Sequence, residues 1–135
     1  VLNGDTFLEL DYHDYLKFFL QRKAITLIAL TKANETKQYG NVEMDPQNRI
    51  VSFMEKEKSR NNQCGLINSG VYLLDKVILD FIPIDSNTSF EYDIFPLILK
   101  EFDKGIYGFF TSSSFIDIGT PENYYKAQNI LGTEN

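Results

Sequence analysis

Asp5 and Asp117 each stand beside an apolar stretch. Asp5 follows Val1-Leu2 in Asn3-Gly4-Asp5-Thr6, and Asp117 lies between Ile116 and Ile118, just ahead of Gly119-Thr120. Ligands of α/β sheets gather beyond the carboxyl ends of strands. A carboxylate there is placed to hold a hard cation through oxygen, and Mg²⁺ commonly takes one or two carboxylates and completes its shell with water and substrate phosphates. The same residues also allow a plainer reading, in which Asp5 caps a turn and Asp117 pairs with a neighbouring basic group.

Three further groups can meet a polar ligand. Glu55-Lys56 joins an acceptor for hydroxyl groups to a point charge for a phosphate, although exposed Glu-Lys pairs are common on any surface. Tyr39-Gly40 and Asn68-Ser69-Gly70 are glycine-containing breaks beside apolar runs. Glycine there permits close approach of a ligand to the backbone, or simply a bulge, and Asn68 can bond a hydroxyl. His13, the single histidine, falls among the polar positions of a helical stretch and reads as solvated.

Composition narrows the class. The chain has 135 residues, 43% hydrophobic and 24% charged, which suits one soluble globular domain with its own core. A net charge of −6 without a basic stripe excludes a duplex nucleic-acid binder, whose affinity rests on neutralising phosphates. Lys32, Lys37, Lys56, Lys58 and Arg60 cluster in the middle of the chain, near loops, and could meet a small anion locally, though most read as solvated. One cysteine, Cys64, forms no internal disulfide and fits a reducing, cytoplasmic setting. No apolar run is long enough for a membrane span, and no signal peptide is visible.

The elements that must position these groups follow from periodicity. Val1-Leu2 reads as the tail of a buried strand. Asp11 caps a helix whose apolar face is Tyr12, Tyr15, Leu16, Phe19 and Leu20, with His13, Asp14, Lys17 and Gln21 opposite. Ala24–Leu30 is a buried strand. Asn41–Met44 and Ile50–Met54 form a hairpin around Asp45-Pro46-Gln47-Asn48, with Asn48 suited to a positive φ. Residues 34–38 are a polar loop, and 56–63 are charged and expected to be mobile. Cys64–Leu74 is a long strand interrupted at Asn68-Ser69-Gly70. A short helix spans Lys76–Phe81, and a longer one runs from a Ser89 cap to Phe102, with Pro96 near its first turns or kinking it. Strands at Ile106–Phe110 and Phe115–Ile118 precede a helix capped by Thr120, with Pro121 at its first position. The alternation predicts an α/β layered domain with a mixed sheet.

Read together and in order, these segments resemble the sugar-1-phosphate nucleotidyltransferases. Val1-Leu2-Asn3-Gly4-Asp5 is similar to their strand-end LNGD, Tyr39-Gly40 to their Tyr-Gly, and Phe53-Met54-Glu55-Lys56 to their xxEK. Ile67-Asn68-Ser69-Gly70-Val71-Tyr72 resembles their xNxGxY strand. Phe90-Glu91-Tyr92-Asp93-Ile94-Phe95-Pro96 resembles the FExDxFP of the mannose and heptose guanylyltransferases, and Phe115–Glu122 their W/FxDIGTPE. The likeness covers essentially the whole chain.

The resemblance implies a Rossmann-like, GT-A-like layered fold and an enzyme joining a nucleoside triphosphate, GTP, to a mannose- or heptose-type sugar 1-phosphate, with release of pyrophosphate. By that resemblance Asp5 and Asp117 hold Mg²⁺, and Lys56 grips the sugar phosphate. Glu55 binds sugar hydroxyls, and Asn3, Gly4, Tyr39, Gly40, Asn68, Gly70 and Glu91 complete the substrate pocket. Neither a nucleic acid nor a membrane is an expected partner, and a homo-oligomer is compatible with the family.

One departure is large. The family opens with a GGxGTR loop and a Pro-Lys element that hold the triphosphate, and neither occurs in these 135 residues. Residues 1–135 are therefore expected to be the sugar-phosphate side of a single nucleotidyltransferase domain that lacks its N-terminal nucleotide-binding part, inactive alone and exposing apolar surface. Two alternatives stand beside this. A metal-dependent glycosyltransferase of related fold would carry Asp-x-Asp, where this chain has Asp5-Thr6-Phe7. A regulatory subunit of the same fold would have lost catalysis, against which the joint presence of Asp5, Lys56 and Asp117 argues.

Overall fold

A computed structural model describes residues 1–33, 39, 41–54 and 65–131. In chain order the elements are β1 (Thr6–Leu8), α1 (Tyr12–Arg22), β2 (Thr26–Ala33), β3 (Asn41–Met44), β4 (Ile50–Met54), β5 (Gly65–Leu74), a 3₁₀ turn (Lys76–Phe81), a π-helical turn (Phe90–Ile94), α2 (Phe95–Glu101), β6 (Ile106–Phe110), β7 (Phe115–Asp117) and α3 (Pro121–Leu131). Among the described residues five strands form one mixed sheet in the order β4-β3-β5-β2-β6, while β1 and β7 pair as a separate antiparallel ribbon. Among the described strands only β2 and β6 run parallel. The α/β class and the mixed sheet are those expected from the sequence. No helix among the described residues is long and apolar enough to cross a membrane.

Central β2 is buried along its first six residues, Thr26–Thr31. Its alternate side chains feed two cores, as the period of a strand requires. Leu27 and Ala29 join Leu8, Tyr15, Val71 and Tyr107 beneath α1. Ile28 and Leu30 join Val42, Ile50, Tyr72, Ile94, Phe95, Ile98 and Ile106 on the other side, under the hairpin and α2.

The interruption foreseen at Asn68-Ser69-Gly70 is a bulge. Pairing with β2 passes from Ile28↔Tyr72 to Leu30↔Asn68, which sets Ser69, Gly70 and Val71 against Ala29 alone. Gly70 sits at φ +79°. A bulge breaks the ladder and leaves backbone carbonyls without their usual partners, and buried side chains supply them. Ser69 Oγ donates to Ala29 O at 2.7 Å. Tyr15 Oη lies 2.8 Å from Leu27 O and 3.0 Å from Val71 O. Tyr15→Phe keeps the ring and strips that donor from two buried acceptors. We expect it to cost about 1–3 kcal/mol, seen as a lower urea midpoint with an unchanged m-value.

This anchoring corrects the expected face of α1. Asp11 caps the helix as read, accepting from the N–H groups of His13 and Asp14, and His13 is exposed. Of the five residues expected to face the core, however, Tyr12 (56%), Leu16 (47%) and Leu20 (63%) are exposed. The helix is rotated so that Tyr15 reaches the bulge. Phe18 meets Phe109 edge-on with centroids 5.5 Å apart, and the Arg22 guanidinium covers Phe18 and Tyr107.

Two other expectations change. Val1 and Leu2 do pair beside β5, since Tyr72 N–H donates to Val1 O at 2.9 Å and Leu2 bridges Val71, but each is 61% exposed rather than buried. No described element covers them. The long helix from Ser89 to Phe102 is divided. Ser89 caps its start, accepting from Tyr92 N–H, while Asp93 Oδ2 takes the Ser89 N–H at 2.8 Å. Phe95 N–H then reaches back five residues to Phe90 O. Pro96, next in line, has no N–H to continue an α ladder, so the wide turn precedes it and the regular helix starts at Phe95.

The hairpin turn forms as read, with Asn48 at φ 64° and Asp45 Oδ1 accepting from Gln47 and Arg49 N–H. Its tip extends further than the sequence implies. Gly108 N–H of β6 donates to Asn48 O at 2.9 Å, and Arg49 bridges Tyr107. The hairpin therefore crosses from β5, where Asn41 pairs with Ile67, to the far edge strand. Loops 34–38 and 56–63, and the strand start at Cys64, lie outside the described residues.

Candidate active site

The switch of partners along β5 opens a cleft. On the edge of β5 away from β2, β3 is paired at Ile67, and the segment Val1–Asn3 takes over at Gly70–Tyr72. Between the two lies a cavity of about 300 Å³. Asn3, Asp5, Thr6, Phe115 and Asp117 line one wall with Tyr39. Asn41, Val42, Phe53 and Met54 of the hairpin form a second. Glu91, Tyr92 and Pro96 form a third, with Asn68 between.

Asp5 and Asp117 are brought together by the β1–β7 ribbon. Thr6 pairs with Asp117, and Ile118 N–H donates to Asp5 O at 2.8 Å. Both carboxylates turn toward Gly119. A Cβ built there would stand 3.0 Å from Asp117 Oδ1 and 3.9 Å from Asp5 Oδ2. Asp117 Oδ1 accepts Gly119 N–H at 2.8 Å, which fixes its rotamer. Neither aspartate forms an ion pair with a basic residue among the described residues. No group of three or more metal-ligating side chains occurs among those residues either. Two hard oxygen donors in one polar corner fit Mg²⁺, which leaves the rest of its shell to water and phosphate. Tyr39 closes this wall. Its ring meets Phe115 edge-on, and burial, with the neighbouring Asp117 carboxylate, pushes the phenol up to about 12, so it stays protonated at neutral pH.

Across β5 a second polar group forms around the Tyr72 hydroxyl. Asn68 Nδ2 donates to Tyr72 Oη at 3.0 Å and to Glu91 Oε1 at 2.9 Å, and Asn68 Oδ1 accepts Gly70 N–H. Tyr72 Oη also lies 3.4 Å from Glu91 Oε1. Burial, then the Glu91 charge, raises the Tyr72 phenol, so it too stays protonated. Beneath, Tyr72, Phe90, Phe95 and Phe53 stack in sequence and support the floor.

Of the residues singled out in the sequence, Asn3, Asp5, Tyr39, Asn68, Glu91 and Asp117 line this one cleft. Gly70 stands directly behind it, where a Cβ would lie 2.6 Å from Asn3 Nδ2 and 2.8 Å from Thr6 Oγ1. Gly4 contributes no lining atom, and a Cβ there meets open space. Gly40, Glu55 and Lys56 lie outside the described residues. Tyr72, Tyr92 and Asn41 were not anticipated. Tyr72 was within reach, since its place in xNxGxY four residues after Asn68 is a signal. Asn41 Oδ1 is buried with no hydrogen-bond partner among the described residues, which sequence gives no means of seeing.

Known proteins resemble the chain in sequence and in fold. The chain is 36% identical over 132 residues to the D-glycero-alpha-D-manno-heptose 1-phosphate guanylyltransferase of Aneurinibacillus thermoaerophilus, covering 97% of this chain and 54% of that protein. It is 31% identical to the mannose-1-phosphate guanylyltransferase of Mycobacterium tuberculosis, covering 93% and 34%. Among solved structures, HddC from Yersinia pseudotuberculosis complexed with GMP-PN superposes with a TM-score of 0.77 at 37% identity, covering 97% of this chain and 54% of that one. The chain thus spans about half the length of its heptose relatives, and less of the mannose relative. The nucleotidyl transferase family profile matches residues 1–134. A match of that extent leaves neither the sheet nor any wall of the cleft outside it: the chain belongs to the nucleotidyl transferase family.

Proposed function

We propose that the protein transfers a nucleotidyl group from GTP to a mannose- or heptose-type sugar 1-phosphate, giving a nucleotide sugar and pyrophosphate. The product would serve surface polysaccharide synthesis in the cytoplasm. Residues 1–135 would be the sugar-phosphate side of one domain. The observation that carries this reading is the convergence of Asp5 and Asp117 at one corner of a cleft whose other walls offer hydroxyl-binding groups. The names of the relatives support the substrate pair, and the nucleotide bound by the Yersinia protein supports the guanine base.

In this reading a sugar-phosphate oxygen attacks the α-phosphorus of the triphosphate, and the bond to the departing pyrophosphate breaks. Asp5 and Asp117 would hold Mg²⁺, which when bound screens the two phosphates and stabilises the charge that develops on the α-phosphoryl group. Lys56 orients the sugar phosphate for attack. Glu55, Asn68, Glu91 and the backbone at Gly40 hold the sugar, with Asn3 and Tyr39 at its border, while Gly70 backs the wall with its N–H and C=O already taken by Asn68 and Asn3. The GGxGTR cradle for the triphosphate is not among these residues.

Because residues 1–135 carry no triphosphate cradle and are expected to be inactive alone, the test is pyrophosphate release by a chain in which a GGxGTR-bearing segment precedes them, pairing GTP, dTTP, UTP and CTP with mannose, heptose and glucose 1-phosphates. Turnover is expected with GTP and a manno-configured sugar, and removal of Mg²⁺ with EDTA should abolish it. A folded protein that binds the sugar phosphate but releases no pyrophosphate with any pair would shift the reading to a regulatory subunit.

A further inference from the structure

Phe90–Ile94 is the wall of the cleft that regular secondary structure does not explain. The backward bond of Phe95 N–H to Phe90 O spans five residues. That spacing crowds an extra residue into the turn, so neighbouring side chains diverge less than on an α-helix, and such turns recur at functional sites. Here Glu91 and Tyr92, adjacent in sequence, both line the same cleft. The turn is pinned by Ser89 Oγ, which accepts Tyr92 N–H, and by Asp93 Oδ2, which accepts Ser89 N–H.

Glu91 and Tyr92 differ in what they leave free. Asn68 is fully committed, with Nδ2 shared between Tyr72 and Glu91 and Oδ1 taken by Gly70 N–H. Glu91 spends only Oε1 on these partners, and Oε2 has none among the described residues. Tyr92 is 67% exposed although it lines the cavity, and its ring stacks on no aromatic neighbour among the described residues. A carboxylate oxygen held in one orientation beside an unstacked ring at a cleft mouth suits a ligand with hydroxyl groups on its edge and C–H groups on its face.

We propose that this turn recognises the sugar. Tyr92 packs against the C–H face of the pyranose, and Glu91 Oε2 accepts from one of its hydroxyls. Tyr72 and Asn68 are positioning residues that act through Glu91. The proposal rests on the transferase reading above, adds Tyr92 and Tyr72 to it, and makes Asn68 a support of Glu91 instead of a sugar contact.

The experiment measures binding of mannose 1-phosphate by calorimetry and follows its ring protons by NMR. Bound sugar protons should move upfield under the Tyr92 ring. Tyr92→Ala should weaken binding about five- to tenfold and abolish that shift, and Tyr92→Phe should restore both, since the ring and not the hydroxyl makes the contact. Glu91→Gln should weaken binding about tenfold. Tyr72→Phe should weaken it less while leaving the upfield shift in place, which a general loss of structure would not. Exposed Tyr92 is removable without unfolding, and unchanged melting of Tyr92→Ala checks this. Sugar phosphate bound equally well by wild type and Tyr92→Ala, with no upfield shift in either, overturns this inference alone. A wild-type protein that binds no sugar phosphate overturns it together with the transferase reading.

Discussion

Asp117→Asn is expected to lower Mg²⁺-dependent pyrophosphate release by about 10²–10³-fold, the scale on which a single electrostatic contact to a transition state is lost. The substitution is nearly isosteric. An Asn oxygen can still accept Gly119 N–H, which now holds Asp117 Oδ1 at 2.8 Å, and the β1–β7 register rests on backbone bonds that it leaves alone. What disappears is one of the two negative charges that converge near Gly119. The loss should therefore fall on kcat and on the Mg²⁺ concentration needed for half-maximal rate. Thermal unfolding should barely change. A variant that keeps wild-type turnover at low Mg²⁺ would remove Asp117 from the metal site.

Gly70→Ala should be the most damaging small substitution in the described core. It meets two obstacles at once. The backbone stands at φ +79°, a conformation that costs an L-residue about 1–2 kcal/mol. The new methyl would also press on Asn3 and Thr6 at 2.6–2.8 Å, and relieving such overlap typically costs a further 1–3 kcal/mol or so. A total of about 2–5 kcal/mol is expected, with a melting temperature lower by roughly 10–20 °C. The displacement would push Asn3 and Thr6 into the cleft, so sugar-phosphate binding should fall along with stability. Melting curves and calorimetry on the same preparation check both effects. A Gly70→Ala protein as stable as wild type would mean that the bulge can relax into a conventional strand.

How much of this was legible beforehand depends on the range of the interaction. The Asp11 cap, the Asp45–Asn48 turn and the Thr120-Pro121 helix start are local chemistry, and the structure has each where the residues predict it. The break at Asn68-Ser69-Gly70 was visible as a glycine in a strand. Its effect was not, because the rotation of α1 depends on Tyr15 meeting carbonyls of Leu27 and Val71, the latter 56 residues away. An apolar periodicity of i, i+4 cannot tell which of two adjacent stripes will face the sheet when Tyr, Phe and Leu occupy both. The division of the long helix could be guessed from Pro96, but the width of the preceding turn could not. In the cleft, Asp5 and Asp117 stand out because carboxylates are unusual beside apolar runs, Asn68 because it opens a glycine-containing break in a strand, and Glu91 only through the likeness of its segment to FExDxFP. Tyr92 escaped because an exposed tyrosine carries no signal until its neighbours in space are known.

The hairpin that crosses the sheet bears on how a ligand would be received. Its base is tied to β5 through Asn41 and Ile67, and its tip to β6 through Asn48 and Gly108. A segment held at one end swings, and one held at both ends does not. The wall formed by Asn41, Val42 and Phe53 was therefore ordered when the chain folded, and a ligand entering the cleft need not immobilise it again. The same tie occupies the outer edge of β6 at Tyr107–Gly108, leaving fewer unpaired backbone groups to recruit a stray strand from another molecule.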